Sequence, residues 1–269
     1  MALTGAMAVA ANPVAAQTAT PASPRVVSIN LCADQLVSLL ADRDNVLSLT
    51  HLSADPSISY VARRAQGITV NHGRSEEVLA LQPDLVVAGR FAARPTVAML
   101  QRFGLEVIDL PIPESFADIR DQIRLLSQRL GEADRGEEMV AEMNRRLAAI
   151  SVDRRPGRRA LVLGVRGFTS GIGTLVHEVL EAAGLRNVAI ELGIRGYGQI
   201  GLEEILRADP EIIVINQPAV AFPSLARDVL AHPALRHFGN RIIQIDPALW
   251  TCGGPYTVDA VTFLAQATQ

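Results

Sequence analysis

Five histidines, His51, His72, His177, His232 and His237, are the side chains of this chain best suited to bind a metal or move a proton near neutral pH. Their spacing serves neither use well. No two stand four apart, as a helix-borne zinc pair with its catalytic acid requires, and Pro233 separates His232 from His237. No G-x-S-x-G turn presents a serine, and no His or Asp pattern nominates Ser28 or Ser170 as a nucleophile. Gly164, Gly167, Gly171 and Gly173 cluster where a phosphate-binding turn would sit, yet they do not spell G-x-G-x-x-G and no strand-end acid follows. The better reading is that Thr169-Ser170-Gly171 opens a helix whose free N–H groups hold an anionic or polar group. These residues point to binding without catalysis.

The aromatic residues lead the same way. Trp250 and Tyr256 flank Thr251-Cys252-Gly253-Gly254-Pro255, a turn at the mouth of the last helix, in a chain with only 4% aromatic residues. Such a pair is either core packing or the wall of a ligand site. Tyr197, between Gly196 and Gly198, is another loop-borne aromatic. The two cysteines, Cys32 and Cys252, are either a disulfide in an oxidising compartment or two small buried thiols.

The elements that must position these residues are written twice. Ser75-Glu76-Glu77-Val78-Leu79-Ala80-Leu81-Gln82-Pro83-Asp84-Leu85-Val86-Val87 returns, shifted by 127 positions (76 to 203), as Leu202-Glu203-Glu204-Ile205-Leu206-Arg207-Ala208-Asp209-Pro210-Glu211-Ile212-Ile213-Val214. Solenoid repeats recur every ~20–50 residues. A longer period implies two similar lobes, and the cleft between lobes is a preferred ligand site.

The first lobe alternates strand and helix: strand 25–30, helix 34–41, strand 46–50, helix 57–64, a turn at Asn71-His72-Gly73, a helix capped by the Ser75 hydroxyl, strand 84–88, helix 93–103 and strand 106–110. That order implies a parallel sheet with helices on its faces. Residues 115–150 carry only helical periodicity, in two amphipathic stretches. The second stretch, a strut of ~17–20 residues, would span roughly 25–30 Å. Alternation then resumes, with strand 160–165, a turn and helix over 171–183, an extended piece 187–190, a segment 199–208, strand 211–216, helix 224–232, strand 241–245 and a last helix from about Tyr256. The fold read from this order is α/β: two small Rossmann-like lobes with parallel sheets, joined by a long helical backbone. Residues 1–24 form an export signal and lead-in, 25–114 the first lobe, 115–155 the helical connection and 156–269 the second lobe.

Composition narrows the function classes. The chain has 269 residues, 49% apolar and 20% charged, a net charge of −3 and a pI near 6.0, so it lacks the basic footprint of a nucleic-acid binder. The run Arg154-Arg155-Pro156-Gly157-Arg158-Arg159 reads as a solvated loop. Met1 to Ala16 carry no charge and end in small residues, as a secretory signal does, although the basic leading region is missing. No later segment offers the ~18 uninterrupted apolar residues of a membrane span.

With these features together, the chain resembles the periplasmic binding proteins that feed cobalamin and ferric siderophores to ABC importers, the group with a long helical backbone. The resemblance runs from Arg25 to the C-terminus. It rests on the strand-turn-helix Val26 to Leu36, the two Glu-bearing segments with Leu-Gln-Pro-Asp and Ala-Asp-Pro-Glu, the helical middle, Phe168-Thr169-Ser170-Gly171 and the terminal turn with Pro255. It implies a monomeric, exported, non-enzymatic capture protein with no cofactor of its own. Its ligand would be a cobalt corrinoid or ferric chelate, and its partner a dimeric permease. The resemblance places permease docking at Glu76 and Glu203. It places ligand contacts at Asn30, Leu31, Cys32, His51, His72, Arg90, Phe91, Arg166, Phe168, Tyr197, Trp250 and Cys252. In this setting Cys32 and Cys252 fall on cleft-lining turns, one per lobe, and a disulfide between them would close the cleft. Two other readings stand beside it. A haem or free-metal receptor on the same scaffold requires His51 and His72 to converge, and an intracellular α/β enzyme requires the leading segment to be retained.

Overall fold

Two parallel sheets are built around central strands rich in Val, Ile and Leu and buried on both faces, as expected where helices cover each side. The computed structural model describes residues 23–90, 92, 94–150, 157–216, 230 and 232–268. Residues 1–22 of the expected export signal and lead-in, Phe91, the Arg154-Arg155-Pro156 part of the basic run and most of the helix expected over 224–232 lie outside the described residues.

The first lobe contains β1 (Val26–Ser28), α1 (Leu31–Leu40), β2 (Val46–Thr50), α2 (Ala62–Ala65), β3 (Val70–Asn71), α3 (Ser75–Ala80), β4 (Leu85–Gly89), α4 (Arg94–Arg102) and β5 (Glu106–Leu110). Its sheet runs β3-β2-β1-β4-β5, all parallel. After α5 (Phe116–Leu130) and α6 (Ala133–Ala149), the second lobe holds β6 (Arg159–Leu163), β7 (Phe168–Ser170), α7 (Leu175–Ala182), β8 (Arg186–Asn187), α8 (Val188–Glu191), β9 (Tyr197–Gln199), α9 (Leu202–Ala208), β10 (Ile212–Asn216), β11 (Ile242–Ile245) and α10 (Thr257–Ala267). Its parallel sheet runs β8-β6-β10-β11, the first lobe's order with one edge strand fewer.

The repeat seen in the sequence is a structural repeat. Val78 and Ile205, 127 apart, are both fully buried on α3 and α9. Each helix ends on a left-handed residue, Gln82 (φ 48°) and Asp209 (φ 41°), also 127 apart, which turns the chain into Pro83 or Pro210 and the next strand.

Four local expectations are corrected. Ser75 does not cap α3. Arg74 holds the cap position, and the Glu77 carboxylate closes the end by accepting from the backbone N–H groups of His72 (2.7 Å) and Arg74 (3.5 Å). The helix expected over 57–64 shrinks to α2, because the Asp55 carboxylate binds Ser57 N–H and Oγ–H in a turn and Gln35 takes the Tyr60 N–H. The piece 187–190 is mostly α8, its start capped by the Asn187 side chain. Thr169 and Ser170 do not open a helix. They lie in β7, which pairs antiparallel with β9, and Thr174 caps α7 instead.

The helical connection is a tight antiparallel pair. Ser115 caps α5 in a reciprocal box with Asp118, and Gly131 (φ +76°) ends it, so only residues 131–132 separate α5 from α6. Gly136 lets the helices approach so closely that a Cβ there would lie 2.1 Å from Ser127 Oγ. The pair lies inside a continuous apolar cluster, which includes Leu36 and Leu40 of the first lobe, Ile119, Ile123 and Met143 of the pair, and Val162, Val179 and Leu264 of the second. This cluster is common to both lobes, and each lobe adds a smaller one of its own, around Val27, Val78 and Leu100 in the first and Leu161, Ile205 and Phe238 in the second.

Candidate functional site

In a parallel sheet all strand C-termini reach the same edge, and ligands bind outside that edge. The C-terminal ends of β1, β4 and β5 and the residues that follow them supply Asn30 with Leu31 and Cys32 at the start of α1, Gly89-Arg90 and Leu110 to Pro113, and the second lobe answers with Phe168, Leu175-Val176, Tyr197 and Trp250 to Gly253. Together with Gln122 of α5 they enclose a cavity of about 410 Å³ between the lobes.

Each wall is held by its own backbone chemistry. Asn30 caps α1, its Oδ1 accepting from Cys32 N–H (2.9 Å) and Ala33 N–H (3.3 Å). That side chain crosses directly over Gly89, where a Cβ would sit 2.5 Å from Asn30 Oδ1, so only glycine fits at the end of β4. Register pairs Gly89 with Leu110, which brings the Pro111-Ile112-Pro113 turn alongside. Gln122 Nε2 donates to Pro111 O (2.8 Å) and fixes that turn to α5.

In the second lobe the β7–β9 pair, with Phe168 opposite Gln199 and Ser170 opposite Tyr197, makes Phe168 and Tyr197 diagonal neighbours, and their rings stack with centroids 5.7 Å apart. Both remain about half exposed (43% and 53%), unusual for rings that size unless something else covers them. Burial, and then the charge of Glu114, raises the Tyr197 phenol above its ordinary value. Trp250 is only 3% exposed, and its indole N–H donates to Asn216 Oδ1 (3.0 Å) at the end of β10. Arg90 is exposed at the rim, and among the described residues its side chain makes no salt bridge.

Cys32 and Cys252 are joined across this cavity, with Cα atoms 5.1 Å apart and 220 residues of sequence between them. Behind the bond lies Asp34, fully buried, which accepts from Thr50 N–H (3.1 Å) and Thr50 Oγ–H. Burial raises its carboxyl from 3.8 to about 6, more than the hydrogen bonds from Thr50 and Ser28 lower it. A second junction between the lobes lies nearby. Tyr60 stacks on buried Tyr256 at 4.4 Å and donates to Asp259, which also pairs with Arg146 of α6.

Of the residues singled out from sequence, Asn30, Leu31, Cys32, Arg90, Phe168, Tyr197, Trp250 and Cys252 line the cavity. His51, His72 and Arg166 are exposed outside that lining, and Phe91 lies outside the described residues. His51 and His72 do come together, at the ends of β2 and β3, with rings stacked at 5.0 Å. Stacked rings aim their in-plane lone pairs along parallel planes and not at one ion, and His72 Nδ1 faces Glu77 Oε1 at 3.2 Å. Among the described residues no group of three or more His, Cys, Asp and Glu is placed to hold a metal. Glu76 and Glu203 are exposed in the first turns of α3 and α9. Their sequence neighbours cap those helices, Glu204 Oε2 accepting from Gly201 N–H (2.8 Å) as Glu77 does in α3.

No described helix is long and apolar enough to cross a membrane. A family model described as "Periplasmic binding protein" matches residues 26–239. A cobalamin-binding protein of Halobacterium salinarum is 28% identical over 218 residues, 77% of this chain and 58% of that protein. The chain thus spans less than two thirds of that relative. Among solved structures, the apo periplasmic heme-binding protein RhuT of Roseiflexus sp. RS-1 superimposes with a TM-score of 0.74 at 24% identity, over 91% of this chain and 98% of that one. The periplasmic vitamin B12-binding protein of Vibrio cholerae gives 0.65 at 19% identity, over 91% and 97%.

Proposed function

Because the chain belongs to the periplasmic binding protein family, we propose that it is the exported capture subunit of an ABC importer for a metal chelate, and that the chelate is a corrinoid of the cobalamin type. The observation that carries this reading is the inter-lobe cavity itself. Its lining is mostly apolar, with Trp250 in one wall, the stacked Phe168 and Tyr197 on a second, and Arg90 as the cation among the described lining residues. A corrin presents a broad apolar edge with amides and one phosphate, which suits apolar walls and a single guanidinium. A ferric tris-catecholate carries several negative charges, and burying those against one arginine would leave most of them uncompensated.

The protein works as a monomer, by capture without catalysis. Its lobes hold the chelate and then dock on a dimeric permease through Glu76 and Glu203, two acids that the repeat places at equivalent positions of the two lobes. A haem receptor is the second reading, because Tyr197 presents a phenol at the cavity wall. The corrinoid is preferred because Arg90 and the apolar walls match its phosphate and broad apolar edge.

The single tryptophan provides the test. Cyanocobalamin is titrated into the protein and Trp250 emission is followed with correction for ligand absorbance, with haemin and ferric siderophores in parallel. Saturable quenching by cyanocobalamin at micromolar or lower concentration is expected. Quenching by haemin or a siderophore alone would replace the corrinoid reading.

A further inference from the structure

We propose that the Cys32–Cys252 disulfide is a thiol-exchange site on the cavity wall, through which a dithiol reductant sets how firmly the two lobes hold their ligand. The bond joins the lobes directly, and both half-cystines line the cavity. Cys252 is only 2% exposed, whereas Cys32 keeps partial exposure. An incoming thiolate therefore arrives through the cavity and meets Cys32 Sγ.

The exchange balances without further reagents. One thiolate of the dithiol attacks Cys32 Sγ, the Cys32–Cys252 bond breaks, and Cys252 leaves as a thiolate that takes up the proton released by the reductant. The reductant's second thiol then attacks its own sulfur in the mixed disulfide and frees Cys32. The protein gains two electrons and two protons, and the dithiol becomes a disulfide.

Reduction loosens the lobes without separating them. The Tyr60–Tyr256 stack, the Tyr60–Asp259 hydrogen bond and the continuous apolar core all cross the same junction and remain in place. The reduced molecule thus stays folded, with the cavity walls at Leu110 to Ile112 and Thr251 to Gly253 free to part. A ligand in the cavity covers Cys32, so binding and reduction oppose each other, each by the same factor. This last coupling rests on the ligand reading above.

The oxidised protein is incubated with dithiothreitol, quenched with iodoacetamide and weighed intact, while far-UV circular dichroism follows the fold. Two carbamidomethyl groups are expected with no loss of helicity, and faster amide exchange at Leu110, Ile112 and residues 251–253. A Cys32→Ser/Cys252→Ser variant is expected to show the same faster exchange without reductant; if it does not fold, the dithiothreitol arm decides. Labelling that appears only at the rate of global unfolding in urea overturns the proposal, as does unchanged exchange in the reduced protein. Saturating cyanocobalamin is expected to slow labelling by about tenfold or more. If it quenches Trp250 yet leaves labelling unchanged, Cys32 is not reached through the cavity and the proposal falls. If it does not bind at all, the ligand reading falls, and the labelling and exchange arms still decide the thiol-exchange site.

Discussion

At the scale of single residues, the strongest consequence belongs to Asp34. Its carboxyl ionises near 3.8 in the unfolded chain and near 6 in the folded one, because burial disfavours the anion. The proton it holds therefore adds to stability below about pH 4, and that contribution is lost as the pH rises through about 6, a swing of about 3 kcal/mol. Asp34→Asn keeps an acceptor for Thr50 N–H and removes the titration. The stability of the wild type relative to this variant should fall by about 2–3 kcal/mol between pH 4 and pH 7 in urea melts, and an unchanged difference would exclude a titrating Asp34. Residue type also explains what could be read from sequence. Trp250, Tyr197 and the cysteines were visible because such residues are rare here and stand beside glycines or at the ends of elements. Leu110, Pro111, Ile112, Gln122, Leu175 and Val176 carry no such mark. The usable signal was topological: parallel strands bring the residues after β5 to the same edge as those after β1.

Among the elements, the duplicated helix and strand were legible because Glu, Pro and branched residues recur in register, and their burial does too. The β7–β9 pair was not. Its strands have three residues each and run into glycines that pass against backbone, a Cβ on Gly171 falling 2.0 Å from Ile194 O. Such segments look like turns by composition. The α5–α6 pair makes the plainest mutational prediction. Gly136→Val places carbon where Ser127 Oγ now sits and should destabilise the protein by about 1–3 kcal/mol through overpacking. Ser127→Gly in the same chain should recover part of that loss, which a double-mutant cycle in urea measures. No recovery would mean that the penalty arises elsewhere on α6.

At the scale of the whole molecule, two lobes were legible from the 127-residue repeat, but their shared core was not, since periodicity marks which face is buried and never what buries it. A cluster continuous through both lobes and the α5–α6 pair favours small adjustments around the ligand over wide opening. The disulfide strengthens this, and by the chain-entropy argument a loop of this length contributes up to about 5 kcal/mol. It also makes residues 32–252 a covalent ring. A ring cut once is still one molecule. A single proteolytic nick anywhere between the cysteines should leave one band on a non-reducing gel and two fragments after reduction, with the nicked protein still folded around its shared core. Fragments that separate without reductant would show that the ring is open.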